Sequence, residues 1–252
     1  MANPSKVALL IIGQELLNGT VTDVNIAHTA RKFYEKGVTL AQVEIVPDDI
    51  DEIAEAVDYL SHKYDYVITS GGIGPTHDDV TVESVAKAVD QGVIKHKVLV
   101  EVLQKHYHVQ ELTDAQSRMA LAPEKAELLI PTVPSDTFFL PLVYVNNIYL
   151  LPGVPKFFAH YLEQIMPIFT GIPLFHTEIC VKGIETKLAS ALNKAVKACP
   201  QVRFGSYPSF EPGQPNSYMV RITFEAPDRA SLQEAKEFFL HELPDTLEVV
   251  NK

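Results

Sequence analysis

Residues 69–83 read Thr-Ser-Gly-Gly-Ile-Gly-Pro-Thr-His-Asp-Asp-Val-Thr-Val-Glu and follow a short apolar stretch ending at Ile68. A strand therefore runs into a glycine-rich turn, passes two adjacent carboxylates and enters a helix. Such a layout belongs to folds that bind ligands in a crevice at the carboxyl ends of strands. Gly71, Gly72 and Gly74 permit positive φ and let a ligand approach the backbone closely. The N–H groups at a helix start, here near Thr81, favour an anion such as phosphate. Asp78 and Asp79 would repel that anion, so a divalent cation between carboxylate and phosphate is expected. Thr69, Ser70 and Thr76 offer hydroxyls beside the turn, with Thr76 the expected phosphate contact. His77 either protonates a leaving phosphate or is a surface histidine.

The flanking sequence alternates strand and helix. Residues 7–12 are a continuous apolar run, as in a strand buried on both faces of a parallel sheet. A helix over 24–36 has Asp23 as N-cap and Gly37 as stop. An alternating strand over 38–46, a helix over 48–62, a strand over 66–69 and a helix over 81–89 follow. Helical patterns continue to about residue 121. Strands over 127–130 and 142–151 and a helix over 157–168 close the unit. Repeated βαβ units imply a three-layer, Rossmann-like α/β domain with a parallel sheet. A boundary falls near Gly171, giving domains 1–171 and 172–252. Strands over 175–181, 202–207, 218–224 and 247–250, with helices over 185–198 and 231–243, make the second a small α+β, ferredoxin-like βαββαβ domain.

Two further loops carry candidate chemistry. Gly13-Gln14-Glu15-Leu16-Leu17-Asn18-Gly19, then Asp23 and Asn25, follows the first strand. Glu15, Asp23 and Asn25 supply oxygen atoms suited to Mg²⁺ or Mn²⁺. The alternative is that Asp23 only caps its helix and Glu15 is solvated. Leu151-Pro152-Gly153-Val154-Pro155 again ends a strand and starts a helix, with Pro155 at a first helical position. Lys156 and Arg31 are the basic residues nearest these motifs. His106 and His108 have metal-like spacing but sit in a polar helical stretch. Phe138, Phe139 and Tyr207 are either core residues or stacking partners for a flat ring.

The formal net charge of −11 argues against a nucleic-acid surface. At 46% hydrophobic residues the chain is globular. Cys180 and Cys199 match neither a disulfide framework nor a zinc site, as in a reducing cytoplasm. The amino-terminal apolar run is too short to span a bilayer and lacks a signal-peptide cleavage pattern, so no membrane partner is expected.

The loops at 13–19, 23/25, 71–83 and 152–155 resemble the molybdopterin-binding-domain family, which includes MoaB, MogA, the first domain of CinA and the N-terminal domain of eukaryotic FAD synthase. The resemblance covers about residues 6–250. Gly-Gly-Ile-Gly-Pro-Thr-His-Asp-Asp-Val-Thr is most similar to the FAD synthase version, as are Phe139-Leu140-Pro141-Leu142-Val143, Asn147-Ile148-Tyr149-Leu150 and Gly205-Ser206-Tyr207-Pro208. The CinA pattern departs at residues 131–139 and at Phe157-Phe158. Asp-Val-Thr-Val-Glu at 79–83 resembles the Asp-x-Thr-x-Glu of MoaB and MogA.

The resemblance implies hydrolysis of a dinucleotide pyrophosphate, either FAD or ADP-ribose, aided by Mg²⁺, Mn²⁺ or Co²⁺. Neither the CinA amidohydrolase domain nor the FAD synthase adenylyltransferase domain is expected. Asp79 and Asp78 are the expected catalytic carboxylates. Asp79, Asp78, Asp23 and Glu15 are the expected metal ligands. Gly71, Gly72, Gly74, Thr76, Thr81, Pro152 and Gly153 are the expected substrate contacts. The alternatives are a molybdopterin-binding or molybdopterin-adenylylating protein of cofactor biosynthesis, and a non-catalytic nucleotide-binding module. The partner is a small dinucleotide or a pterin phosphate, and the resemblance leaves a homo-oligomer open.

Overall fold

Strand β1 (Lys6–Ile12) is buried along its whole length after Lys6. Val7, Leu9 and Ile11 enter one hydrophobic core, and Ala8, Leu10 and Ile12 another. A strand whose alternate side chains both meet apolar neighbours must lie inside a sheet with two covered faces. The computed structural model describes residues 3–132, 138–209 and 219–250.

The chain forms two compact units, Met1–Gly171 and Ile172–Lys252. After β1 come α1 (Gln14–Leu17), α2 (Asn25–Lys36), β2 (Thr39–Val46), α3 (Ile50–Lys63), β3 (Tyr66–Ser70) and α4 (Thr81–Ala88). An excursion follows: β4 (Val93–Lys95), α5 (Lys97–Tyr107), α6 (Asp114–Arg118) and β5 (Leu121–Pro123). The unit then closes with β6 (Glu127–Leu129), β7 (Leu142–Val145), β8 (Ile148–Leu151) and α7 (Pro155–Ile165). The six-stranded sheet has the order β2-β1-β3-β8-β7-β6. Phe33 of α2 and Phe158, Leu162 and Ile165 of α7 cover one face; Ile53, Val57 and Leu60 of α3 and Val82 and Val85 of α4 cover the other. These are three α/β/α layers.

Local chemistry sets the ends of the helices. Gly37 stops α2 in the left-handed region, at φ 75°. Asp49 caps α3 by accepting from the Asp51 and Glu52 N–H groups. Thr113 and Gln116 form a capping box on α6. Pro155 occupies the first turn of α7.

Three sequence expectations need correction. The sheet is mostly parallel: β7 pairs antiparallel with both β8 and β6, so it alone runs against the other five strands. The run 142–151 is a hairpin rather than one strand, because Asn146 adopts φ 53° and reverses the chain. The stretch before Leu121 is not all helical, since β4 pairs with β5 in a small two-stranded sheet.

The second unit comprises β9 (Phe175–Lys182), α8 (Ala189–Ala198), β10 (Arg203–Ser209), β11 (Met219–Ala226), α9 (Arg229–Glu242) and β12 (Glu248–Val250). Its antiparallel sheet has the order β10-β11-β9-β12, which is the split βαβ arrangement. The expectation for Tyr218 lies outside the described residues. Cys180 and Cys199 are free and buried, and burial pushes the Cys199 thiol up from its ordinary value. Among the described residues no helix is long and apolar enough to cross a membrane.

Candidate functional site

Strands β1, β3 and β8 are neighbours, and the chain leaves β1 to one side for β2 and returns on the other for β3. That reversal opens a crevice at the carboxyl ends of the strands. The three glycine-bearing loops, two of which also carry acids, meet there. Asn25, buried at the start of α2, ties them together: its Nδ2 donates to Ser70 Oγ at 3.0 Å and to the Gly153 carbonyl at 2.9 Å. Gly153 is packed so closely that a Cβ would lie 3.3 Å from the Gly71 Cα.

The glycines of the main turn have separate reasons to be glycine. Gly71 and Gly72 adopt φ 111° and 65°. A Cβ on Gly71 would lie 2.3 Å from the Ile12 carbonyl oxygen, and one on Gly72 would lie 2.2 Å from Thr81 Oγ1. Gly74, unlike Gly71 and Gly72, does not use the positive φ open to glycine. It is small because a Cβ would lie 2.7 Å from Asp79 Oδ2.

The loops enclose a cleft of 710 Å³ whose wall includes Gly71, Gly72, Gly74, Pro152 and Gly153. Glu15, Asp23, Asp48, Asp78 and Asp79 also line it. Asp79 Oδ2 accepts the Thr76 N–H at 2.8 Å and the Thr76 hydroxyl. Asp23 Oδ1 accepts the Ile26 N–H at 2.8 Å, so Asp23 caps the α2 backbone with one oxygen. Asp48 Oδ2 accepts the Gln14 N–H at 2.8 Å. The Asp78 carboxyl is held below the usual carboxylate range, first by Thr76 and its own backbone N–H, then by the charges of His77 and Arg118. No side chain caps α4, whose N-cap residue is Val80.

Among the described residues no three His, Cys, Asp or Glu side chains are gathered into a ready-made metal cage. The donor set still fits a hard cation that a ligand completes. Mg²⁺-type ions take one or two carboxylates and fill the remaining positions with water and phosphate oxygens. Only one oxygen each of Asp79 and Asp23 is engaged in the hydrogen bonds above.

Farther along the cleft the wall turns aromatic, with His106, Tyr107, Phe138, Phe139 and Phe157. His106 stacks on Phe138 with ring centroids 3.5 Å apart and planes 11° apart. Phe139 stacks on His160 at 3.9 Å and meets Phe157 edge-on.

Residues 8–171 match the family described as probable molybdopterin binding domain. The chain belongs to the molybdopterin-binding-domain family. Its second unit, over residues 173–252, matches the middle domain of FAD synthase. A probable FAD synthase of Caenorhabditis briggsae is 30% identical over 263 residues, covering 94% of this chain and 49% of its own length. A CinA-like protein of Geobacter metallireducens is 38% identical over 172 residues, covering 67% of this chain and 40% of that protein. The chain thus spans half or less of these two relatives. The crystal structure of the protein CinA from Thermoplasma acidophilum superposes with a TM-score of 0.59 at 28% identity, covering 66% of this chain and 99% of that one.

In this molybdopterin-binding-domain chain the cleft gathers Glu15, Asp23, Asp78, Asp79, Gly71, Gly72, Gly74, Pro152 and Gly153. Thr76 and Thr81 are not on its wall. Thr76 serves Asp79, while Thr81 is fully buried and donates its hydroxyl to the Gly71 carbonyl. Asn25 lines the cleft and ties the loops through its Nδ2, the hydrogen bonds above leaving its Oδ1 unused. The His77 side chain is 98% exposed. Lys156 and Arg31 are exposed and off the wall. His108 ends α5 in the left-handed region, away from the wall. Tyr207 lies in the second unit under the Arg221 guanidinium. The sequence reading missed Asp48 and Arg118, which both line the cleft. The signal available for Arg118 was the capping box of its short helix, which fixes α6 but not its target.

Proposed function

We propose that this chain hydrolyses the pyrophosphate of a dinucleotide, with FAD the preferred substrate and FMN and AMP the products. One observation carries the reading: a glycine turn with adjacent carboxylates shares a single cleft with an aromatic wall. A dinucleotide has that same pattern, an anionic bridge between flat rings. The volume of 710 Å³ falls in the range of small-molecule sites, roughly 300–1,000 Å³. The FAD synthase relatives support FAD over ADP-ribose.

In this reading the backbone of residues 71–74 orients the phosphates. Asp79, Asp78, Asp23 and Glu15 would hold the divalent cation together with the substrate. The cation, when bound, offsets charge in the transition state and lowers the pKa of a coordinated water. Asp79, through the oxygen that Thr76 leaves unused, takes up the proton of the attacking water, with Asp78 beside it. The water oxygen bonds to one phosphorus, the bridging P–O bond breaks, and the two mononucleotides leave. Orientation and electrostatics supply most of the rate. A second reading, retention of a phosphate-bearing pterin without hydrolysis, is favoured by the family match over residues 8–171.

The test is to incubate the pure protein with FAD, ADP-ribose and NAD, each with Mg²⁺, Mn²⁺ or Co²⁺, and identify the products. FMN and AMP are expected from FAD, and EDTA abolishes the reaction. Intact substrates under every condition would sink the hydrolase reading, and full activity in chelator would remove the metal.

A further inference from the structure

Arg118 ends α6, and its side chain reaches back to the acidic turn. Its Nη2 donates to the Asp79 carbonyl at 2.7 Å and to Glu83 Oε1 at 3.3 Å. One guanidinium therefore holds both the turn that carries the acids and the first turn of α4. Among the described residues that line the cleft it is the sole Lys or Arg, facing Glu15, Asp23, Asp48, Asp78 and Asp79.

Stability does not account for this arrangement. The Arg118 and Glu83 side chains are only 32% and 27% exposed. Arg118 Nε and Glu83 Oε2 are buried with no hydrogen-bond partner. Unsatisfied buried polar atoms cost free energy, and replacing a buried ion pair by packed apolar residues is often neutral or stabilising. The pair does give directional control. Both hydrogen bonds come from Nη2, so one nitrogen of a planar, always-charged group fixes the Asp79 carbonyl relative to the Glu83 carboxylate.

We propose that Arg118 is a positioning residue, locking the Asp79 backbone against α4 so that the carboxylates of the turn meet the scissile phosphoanhydride. This rests on the pyrophosphatase reading for its catalytic consequence, but not for its structural one.

The experiment uses Arg118→Met, Arg118→Lys and Glu83→Gln in the full chain, with circular dichroism to establish folding. Amide hydrogen exchange of the peptide covering 74–81 is measured without substrate, and FAD turnover is measured separately. Arg118→Met should raise exchange there several-fold. It should lower kcat by about 10- to 100-fold while leaving KM within about threefold, because misplaced groups lose rate more than binding. Arg118→Lys and Glu83→Gln should fall between Arg118→Met and the parent. Unchanged exchange in a folded Arg118→Met overturns the proposal. So does raised KM with intact kcat, which would make Arg118 a substrate contact. If Arg118→Met does not fold, Arg118→Lys carries the same test, and exchange identical to the parent overturns it. If the parent hydrolyses none of the dinucleotides, the functional reading fails and the exchange result still decides the role of Arg118.

Discussion

The Thr81 hydroxyl donates to the Gly71 carbonyl at 2.9 Å. The Thr81 N–H donates to the Gly72 carbonyl, also at 2.9 Å. One buried threonine thus closes the glycine turn onto the start of α4. Thr81→Val keeps the shape and removes the hydroxyl donor from a buried carbonyl. Stability should fall by about 1–3 kcal/mol, the cost of an unmade buried hydrogen bond. Urea unfolding measures it, and an unchanged midpoint would count against the latch.

The same contact makes Gly72 intolerant of a side chain. Gly72→Ala places a Cβ 2.2 Å from Thr81 Oγ1 in a left-handed backbone at φ 65°. A loss of roughly 1–3 kcal/mol is expected from strain and displacement of the latch. FAD affinity should fall with it, because the turn can no longer close. Calorimetric titration alongside thermal unfolding would show both effects, and an alanine variant with parental stability would mean the turn yields freely.

Asn25 is irreplaceable by its closest isostere. Asn25→Asp exchanges the Nδ2 donor for a carboxylate oxygen facing the Gly153 carbonyl, inside a buried tie. The expected loss is about 2–4 kcal/mol, since a buried donor disappears and an unpaired acceptor replaces it. The loss should shrink at low pH, where the new carboxyl protonates and donates again. A pH-independent difference in unfolding free energy would contradict this account.

Asp79 and His77 should separate chemistry from surface. Asp79→Ala should lower FAD turnover by about 100-fold or more, while stability changes by no more than about 1 kcal/mol. His77→Ala should leave turnover within about twofold, since its ring is 98% exposed and turned to solvent. Equal losses in the two variants would place the proton chemistry on His77 instead.

Tyr161 couples the core to alkaline pH. Its hydroxyl donates to the Leu140 carbonyl at 2.6 Å, and burial raises the phenol above its ordinary value. A folded-state value above the unfolded one means full stabilisation below the unfolded pKa of about 10, lost progressively as pH rises beyond it. Tyr161→Phe should cost about 1 kcal/mol at neutral pH and flatten that alkaline decline. Parallel stability curves for parent and variant above pH 10 would disprove the linkage.

Much of the scaffold was legible because its causes are local. The unbroken apolar run at 7–12 could only be a strand covered on both faces. Gly37 and Pro155 mark helix ends through backbone conformation alone. The hairpin at Asn146 hid inside one apolar run, because period-two alternation carries across a tight turn. The small β4–β5 sheet was invisible because its three-residue strands have no period to read.

By itself, then, the sequence determined most of the element types outside the 93–123 excursion and the 142–151 hairpin, the βαββαβ order of the second unit and the three loops at the sheet's carboxyl edge. These follow from propensity, periodicity and turn chemistry among near neighbours. Tertiary structure alone decided which hydroxyls face the cleft and which hold the turn. It turned Thr81 inward, gave Asn25 to Ser70 and Gly153, and brought Arg118 onto an Asp79 carbonyl 39 residues away. The reason is physical: the direction of a side chain within its own segment is local, but its partner is set by how other segments pack against it.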